Sequence, residues 1–514
     1  MTATCALFKD MPNLLIVNPS AQLWEKTINN LSFLSRNIKL FLISSDDFKS
    51  RIEFETSGFV NSTHFSSTFF AFSKISDNPY SPYQLFLREF YGESVSILDF
   101  VYPHIEPLLR HRTGLHWDEH EILKSITAYV AQSIYIINNY NLALVLFATI
   151  PHSASDLTLL LLCDLFKVPY LFVEPSLVFP FSYVSTGIPG RNVKPILRKD
   201  FLNDTISSSS ISHLKSTLKS LNSQSSGKRF IPNYITEFVK FEPFSLASSL
   251  LRSLYGVFKS RDDKFLSAGS LHKYRHYPFG TPVSIFKRFV FYFSLYLRVF
   301  YRYIYSRFFI DRNKLDLLFS RPFFAYFPNF QIEYSSLPSQ GWDFSQLRCI
   351  DKIFSHIPDD CNLLVKDHPW TFSFISSSLT LRNPSFYRSL LNYNISFLPS
   401  IISPFQIFSH SNCMGIIVNG STVALEAMVV GIPIYETIPT YLSQYSSIYP
   451  LSDLSITRNK EVNSCNSLPE YCQYLIDNCF EFWVGEHFHM FNSFDIDVSS
   501  TQMGEFIYRY IASL

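Results

Sequence analysis

The chain has 514 residues, more than one ordinary hydrophobic core accommodates, so two or three domains are expected. Apolar residues make up 47% and charged residues 17%, which supplies large buried cores and excludes global disorder. The formal net charge of +1 gives no electrostatic basis for nucleic acid as a main partner.

The cysteine spacing and the hydropathy indicate the cellular compartment of the protein. Its eight cysteines include no CxxC pair and no zinc-site spacing, which is typical of reduced thiols in a cytosolic protein. No basic segment followed by a long apolar core opens the sequence, so no secretion signal is predicted. No run of about 18 apolar residues occurs either, so no membrane-spanning helix is predicted. We therefore expect a cytoplasmic protein.

Short apolar runs that end in polar turn residues recur in residues 1–205. They are LLIVNPS at 14–20, KLFLISS at 39–45, and the segment 142–176, which has the pattern strand, loop, helix, strand. Uninterrupted apolar strands with helices between them are typical of a parallel sheet covered on both faces. Residues 1–205 are therefore predicted to form one α/β domain.

Residues 206–320 have a different character. A serine-rich stretch at 206–229 is low in apolar content at both ends, so we expect a surface excursion or a flexible connection there. The segment 285–309 mixes aromatic residues with lysine and arginine and suits a long helix. That helix either packs across both domains or lies on a membrane surface with its basic side chains snorkelling.

The α/β pattern returns in residues 321–514. Strands are predicted in 323–330, 361–369, 395–399, 415–421 and 432–438, and helices in 345–357 and 421–431. Two such domains in tandem would leave a cleft between the carboxyl ends of their strands. Open α/β sheets bind their ligands at such a place.

Three charged or titratable side chains end the predicted strand LLVKDHP. Pro369 restricts His368 to extended conformations, and Lys366 alternates with Asp367, so Lys366 and His368 are expected to share one face. A fixed imidazole beside an ammonium group can bind a phosphate oxygen or, when protonated, stabilise a departing phosphate. The alternative is a structural His-Pro turn with solvent-facing charges.

A second element suited to anions follows the predicted strand GIIV. Asn419 and Gly420 form a turn, since Gly takes positive φ readily. Ser421 or Thr422 is expected to cap the next helix, whose first N–H groups would face the strand ends and suit a phosphate. Glu426, about one turn further in, could accept hydrogen bonds from a ribose or sugar hydroxyl. By itself, the pattern also fits any capped helix after a strand.

The order and spacing of these elements resemble those of bacterial capsular polysaccharide synthesis proteins. That family is similar to the glycosyltransferases that move Kdo or sialic acid from CMP-linked donors on a GT-B fold. The matching positions are Gln331 and Glu333 of a Q-x-E segment, Lys366, His368 and Pro369 of a K-x-H-P segment, and Gly420, Ser421, Thr422, Glu426, Ala427, Gly431 and Pro433 of the following helix. Two places depart from the family pattern: Asp367 stands where glutamate is more usual, and Asn329-Phe330 replaces a leucine-containing stretch.

The resemblance implies a GT-B-like α/β fold, with two Rossmann-like domains facing across a cleft and the helical, aromatic and basic segment 206–320 connecting them. The resemblance further implies that residues 321–514 bind the nucleotide sugar through nine side chains or backbone positions. They are Gln331, Glu333, Lys366, His368, Asn419, Gly420, Ser421, Thr422 and Glu426. His368 would also act in catalysis, and a CMP-linked sugar would be the co-substrate without any further cofactor.

The N-terminal domain is expected to supply the acceptor side. His152 and Asp156 follow a predicted strand at a helix start, and either could be the general base that an acceptor hydroxyl needs. A capping or structural role is the alternative for His152. Glu174, after the next strand, and the cluster at 110–120 are weaker candidates for the base.

No metal site is expected. Asp495 and Asp497 have the spacing of a DxD motif but lie outside a strand-end context. A donor with one phosphate needs less charge compensation, which a lysine, a histidine and a helix N-terminus can supply.

The sequence is compatible with three functions. The first is a metal-independent glycosyltransferase of capsule or surface polysaccharide biosynthesis with a glycan or glycolipid acceptor. The second, ranked lower because no second histidine is clear at the matching strand end, is a polyol-phosphate transferase of the teichoic-acid type. The third is a non-catalytic polysaccharide-assembly protein. Membrane-surface contact through 285–309 would place the protein peripherally at the inner face of the cytoplasmic membrane.

Overall fold

The computed structural model contains two compact units. Unit 1 comprises residues 1–106, 119–218 and 471–514, and unit 2 comprises residues 107–118 and 219–470. The structure describes residues 12–17, 19, 22–34, 39–44, 64–66, 94–109, 119–151, 153–176, 178, 181–202, 206–225, 315–329, 345–368, 384–390, 392–393, 395–398, 402–438, 440, 448–454, 467–482 and 496–514.

Strands and helices alternate along much of the described chain. The first half contains β1 (Asn13–Val17), α1 (Gln22–Leu34), β2 (Lys39–Ser44), β3 (His64–Ser66), α2 (Ser94–Pro107), α3 (Glu119–Tyr140), β4 (Leu142–Phe147), α4 (Ala154–Phe166), β5 (Tyr170–Pro175), β6 (Phe181–Thr186), β7 (Lys194–Ile196) and α5 (Ser208–Ser225). The second half contains α6 (Leu315–Leu318), β8 (Phe323–Tyr326), α7 (Gln346–Phe354), β9 (Asn362–Val365), α8 (Pro384–Leu390), β10 (Ile395–Phe397), α9 (Pro404–Phe408), β11 (Cys413–Val418), α10 (Val423–Val430), β12 (Ile434–Glu436), β13 (Ile448–Pro450), α11 (Ser467–Asn478), β14 (Phe480–Glu481) and α12 (Ile496–Ser513).

The sheet of unit 1 has the strand order β14-β6-β5-β4-β1-β2-β3, with β7 beside β6. Strands β1 to β5 pair in parallel, whereas β6, β7 and β14 pair antiparallel at one edge. The chain changes direction across the sheet between β1 and β4. The predicted strands of the first 200 positions and their intervening helix α4 are confirmed, and with them the α/β class.

The C-terminal segment belongs to unit 1 by its contacts. Strand β14 pairs with β6, and α12 packs on α1. Phe480, Phe506 and Ile507 are fully buried in the same hydrophobic core as Trp24. From the sequence, this segment was predicted to belong to the domain 321–514, because α/β patterning alone does not say which sheet a late strand joins. The predicted domain boundaries themselves stay predictions.

The serine-rich stretch contains helix α5, where we expected a surface excursion or a flexible connection. Glu481 of β14 accepts a hydrogen bond from the backbone N–H of Ser207 at 2.9 Å and bonds from the hydroxyls of Ser207 and Ser210. Leu214, in the second turn, is buried. A carboxylate at the helix start and one apolar anchor therefore stabilise a helix that its composition does not favour.

The sheet of unit 2 has the strand order β10-β9-β8-β11-β12-β13, and all of its pairs are parallel. Counted from β8, this is the order 3-2-1-4-5-6 of doubly wound folds. The order reverses between β8 and β11, the two central strands. All five strands predicted in this part of the sequence are present, although β8 is shorter than predicted and ends before Pro328.

Among the helices that the structure describes, we find no candidate for a membrane-spanning segment. The segment 285–309 lies outside the described residues. Membrane contact through that segment therefore stays a prediction, as does the arrangement of two domains facing across a cleft.

Candidate functional site

Polar residues follow four adjacent strands of unit 2 at the carboxyl edge of its sheet. Asn329 comes after β8, residues 366–368 after β9, Asn419-Gly420 after β11, and Thr437 after β12. Parallel strands place these ends at one edge, and doubly wound sheets bind ligands where the strand order reverses. The edge around β8 and β11 is therefore the candidate site of unit 2.

Lys366 is a buried cation at this edge. Its side chain is 6% exposed, and its backbone N–H donates to the carbonyl of Tyr326 at 2.9 Å, which extends the β8–β9 pairing by one residue. Burial lowers the pKa of Lys366 to about 8, although the charges of Glu426 and Asp367 favour its protonated form. No residue in the described part of the chain hydrogen-bonds the ammonium group of Lys366. Its charge is therefore available to an anion.

Glu426 lies half-buried in the first turn of α10. Burial raises the pKa of Glu426 to about 7, and the nearby charge of Lys366 acts in the opposite direction. Lys366 follows β9 and Glu426 belongs to the helix after β11, so their interaction spans the reversal of strand order. The charges of these two residues thus affect each other's pKa, while their predicted role in one binding site stays a prediction.

His368 is half-buried two residues after Lys366. Burial and, to a smaller extent, the positive charge of Lys366 lower the pKa of His368 to about 4. The imidazole is therefore neutral near pH 7 and can offer an N–H group to a phosphate oxygen, rather than the positive charge that the sequence analysis also considered.

The start of α10 differs in detail from the predicted cap. Gly420 has a φ of 63°, as expected for the turn, and Gly431 ends the helix with a φ of 75°. Thr422 is the N-cap residue, but its side chain makes no capping hydrogen bond, and the Ser421 hydroxyl accepts only a long bond from Val423 N at 3.4 Å. Within the described residues, the backbone N–H groups of 420–422 have no acceptor. They remain available to an anion.

The Asn419 side chain, predicted to contact the nucleotide sugar, hydrogen-bonds other parts of unit 2. It is 2% exposed, and its Oδ1 accepts hydrogen bonds from the backbone N–H of Thr437 at 3.3 Å and from the Thr437 hydroxyl. Its Nδ2 lies 4.0 Å from the sulfur of Cys349. The amide therefore faces the interior of unit 2.

Two further amides at this edge were missed by the sequence analysis. Asn329 Nδ2 donates to the carbonyl of Asn419 at 2.6 Å, and Gln346 Nε2 donates to the carbonyl of Asn329 at 2.6 Å. Both side chains are more than nine-tenths buried. The one available signal was Asn329 itself, which stands where the resembling family has a leucine-containing stretch.

The described candidates for the acceptor-side base, Asp156 and Glu174, lie in unit 1. Asp156 is buried in the first turn of α4, where its backbone N–H donates to the Ser153 hydroxyl at 3.1 Å. Its carboxylate lies near Tyr129 of α3, and burial followed by this negative charge raises the pKa of Tyr129. Glu174 lies within β5 rather than after it, and burial raises its pKa to about 8. Both stay candidates for a base.

Several predicted residues lie outside the described part of the chain: His152, Gln331, Glu333, Pro369, Asp495 and most of the 110–120 cluster. Asp497 is exposed and pairs with Lys26. In the described residues, no group of three or more His, Cys, Asp or Glu could hold a metal ion. Metal independence stays a prediction.

Neither a protein-family model nor a curated protein sequence matches the chain. Solved structures that are similar include the UDP-GlcNAc 2-epimerase of Methanocaldococcus jannaschii in complex with UDP-GlcNAc and UDP, with 11% identity, a TM-score of 0.23, and coverage of 98% of this chain and 99% of that chain. The calicheamicin glycosyltransferase has 10% identity, a TM-score of 0.20, and coverage of 91% and 94%. UDP-glucose:anthocyanidin 3-O-glucosyltransferase in complex with UDP has 11% identity, a TM-score of 0.19, and coverage of 98% and 99%.

Proposed function

We propose that this protein is a glycosyltransferase that takes a sugar from a nucleotide-activated donor and holds the donor phosphate at the carboxyl edge of unit 2. One observation carries the proposal. A buried lysine without a described hydrogen-bond partner lies at the reversal of a doubly wound sheet, close to a helix start whose N–H groups also lack described acceptors. A phosphate would satisfy both groups at once.

The charges at this edge support a donor with one phosphate. Lys366 would supply one positive charge, the start of α10 would supply backbone donors, and His368 would donate from a neutral ring. Glu426, with its pKa raised to about 7, would repel a phosphate less than an ordinary carboxylate and could bond a ribose hydroxyl. These features favour a CMP-linked sugar of the Kdo or sialic type.

The acceptor half of the reaction rests on the resemblance and on unit 1. A glycan or glycolipid of a capsule or surface polysaccharide would be the acceptor. His152 or Asp156 would take the proton of its hydroxyl, while Gln331 and Glu333 would join the donor site.

Nucleotide release from donors tests this function. The full chain is incubated with CMP-Kdo, CMP-sialic acid, UDP-GlcNAc or CDP-glycerol, and the liberated nucleotide is measured. We expect CMP from a CMP-sugar, even when water is the only acceptor, and a loss of about tenfold or more in Lys366→Met. His356→Ala, which changes a histidine two residues beyond the end of α7, should retain the wild-type rate.

The two alternative functions predict different results in the same assay. CMP released from CDP-glycerol alone would identify a polyol-phosphate transferase. Binding of a nucleotide without release from any donor would identify a non-catalytic assembly protein and overturn the proposal.

A further inference from the structure

A ring of hydrogen bonds joins one helix to three strand ends beneath the candidate site. Gln346 Nε2 donates to Asn329 O at 2.6 Å, and Asn329 Nδ2 donates to Asn419 O at 2.6 Å. Thr437 N donates to Asn419 Oδ1 at 3.3 Å. Lys352 Nζ then donates to Thr437 O at 2.6 Å and closes the ring, because Lys352 and Gln346 both belong to α7.

Three residues of α7 contact the segments that follow three strands of the sheet. Gln346, Cys349 and Lys352 follow each other at intervals of three on α7, so they lie along one side of the helix. They contact the segments that follow β8, β11 and β12. The helix therefore fixes three strand ends relative to one another, and β8 lies between β9 and β11 in the sheet.

The ring bears directly on the donor groups. Asn419 immediately precedes Gly420 and the start of α10, whereas Lys366 is tied to the end of β8 through the carbonyl of Tyr326. The bond from Asn329 to Asn419 is thus a direct link between the side of the site that carries Lys366 and the side that carries the helix start. Buried side-chain bonds of this length hold such loops in one arrangement.

We infer that Asn329 is a positioning residue that sets the distance between Lys366 and the N–H groups of 420–422, and that Asn419 acts with it rather than as a contact for the nucleotide. This inference rests on the proposed function, since it concerns the same phosphate site. It identifies a determinant of nucleotide affinity in a side chain that is itself buried.

The chain offers a matched control. Asn412 Nδ2 donates to the carbonyl of Phe319 at 2.8 Å. Asn412 precedes β11 and Phe319 precedes β8, so this bond links the same two strands at the opposite edge of the sheet. Changing either asparagine to aspartate removes one side-chain donor that bonds a backbone carbonyl, but only Asn329 lies at the candidate site.

The test measures CMP affinity of the full chain by calorimetry, together with the thermal midpoint, for wild type, Asn329→Asp and Asn412→Asp. We expect Asn329→Asp to weaken CMP binding by about tenfold or more, since a carboxylate then faces the Asn419 carbonyl. Asn412→Asp should bind CMP as wild type does, even where its thermal midpoint falls as far. The Asn329→Asp defect should shrink as the pH is lowered, because a protonated carboxyl group can donate to that carbonyl again.

The outcomes separate this inference from the function beneath it. Equal CMP affinity in wild type and Asn329→Asp would overturn the positioning role and leave the proposed function standing. Absence of CMP binding by the wild type would overturn both. If Asn329→Asp does not fold, Gln346→Met removes the donor to the Asn329 carbonyl, and unchanged CMP affinity in that variant would count against the inference in the same way.

Discussion

Lys366, His368 and Glu426 show how burial and charge act on single residues at the candidate site. Burial disfavours the charged form of each, so it lowers the pKa of the two bases and raises that of the acid. The consequences for stability differ in sign between His368 and Glu426. The pH dependence of unfolding can therefore distinguish them.

We predict that His368→Gln and Glu426→Gln change the pH dependence of stability in opposite directions between pH 4.5 and 6.5. The pKa of His368 falls from 6.5 to about 4 on folding, so the unfolded chain binds more protons there and stability rises with pH. The pKa of Glu426 rises from 4.5 to about 7, so the folded chain binds more protons there and stability falls with pH.

The measurement is the free energy of unfolding in urea at several pH values. His368→Gln should flatten the rise of stability with pH relative to wild type, whereas Glu426→Gln should steepen it. Parallel curves for both variants would mean that neither group titrates as its environment implies.

At the scale of elements, the central strand β11 depends on a glycine that carries no chemistry. A Cβ at Gly415 would lie 2.7 Å from Cε2 of Tyr435 and 3.1 Å from the carbonyl of Pro433. The Tyr435 ring also packs edge-on against Phe324, with 5.8 Å between the centroids. The strand therefore needs a residue without a side chain where these rings cover it.

Gly415→Ala should destabilise the protein by about 1–3 kcal/mol, because the clash includes backbone that cannot move away. Gly504→Ala, in helix α12, is the matched control. A Cβ at position 504 would lie 3.4 Å from Asn30 Cβ of α1, which is an ordinary van der Waals distance. That change should be neutral or stabilise by up to about 1 kcal/mol through helix propensity. Thermal unfolding midpoints would compare the two, and equal midpoints would refute the packing account.

The elements also show what sequence patterning can and cannot reveal. Apolar runs ending in polar residues predicted β1, β2, β4 and β5 of unit 1 and β8 to β12 of unit 2, because parallel strands are buried on both faces. They did not predict β3, β6, β7, β13 or β14. The same patterning identified Lys366 and His368 as candidate site residues, since titratable side chains at the end of an apolar run are conspicuous in a sequence. Asn329 and Gln346 did not stand out, because neutral amides are common in loops and Asn329 meets a partner 90 positions away.

At the scale of the whole chain, the C-terminal helix completes the core of unit 1. Asn30 of α1 donates to the Ser500 hydroxyl at 3.0 Å across 470 positions of sequence. Phe506 is fully buried, with ring centroids 4.5 Å from Phe480 and 5.4 Å from Phe201. No helix is predicted here from the sequence, and local periodicity in any case does not identify the distant surface that an apolar helix face covers.

Phe506→Ala should cost about 3–5 kcal/mol of stability through lost burial and the cavity it leaves. Its effect should appear in the thermal midpoint, while CMP affinity, which we assign to unit 2, should not change below that midpoint. Phe166→Ala, at a ring that is 40% exposed, is the control and should cost far less. A loss of CMP affinity in folded Phe506→Ala would contradict the assignment of the donor site to unit 2 alone.

The most direct test of the central claim is thermal stabilisation of wild type, Lys366→Met and His356→Ala by CMP, UDP, GDP and CDP-glycerol. A nucleotide at about 100 times its dissociation constant should add about 2.7 kcal/mol to the folded state. We predict a shift with CMP that Lys366→Met loses and His356→Ala keeps, with no loss of stability in Lys366→Met without ligand, since a desolvated charge has been removed. No shift with any nucleotide, or a CMP shift that survives in Lys366→Met, would contradict the account.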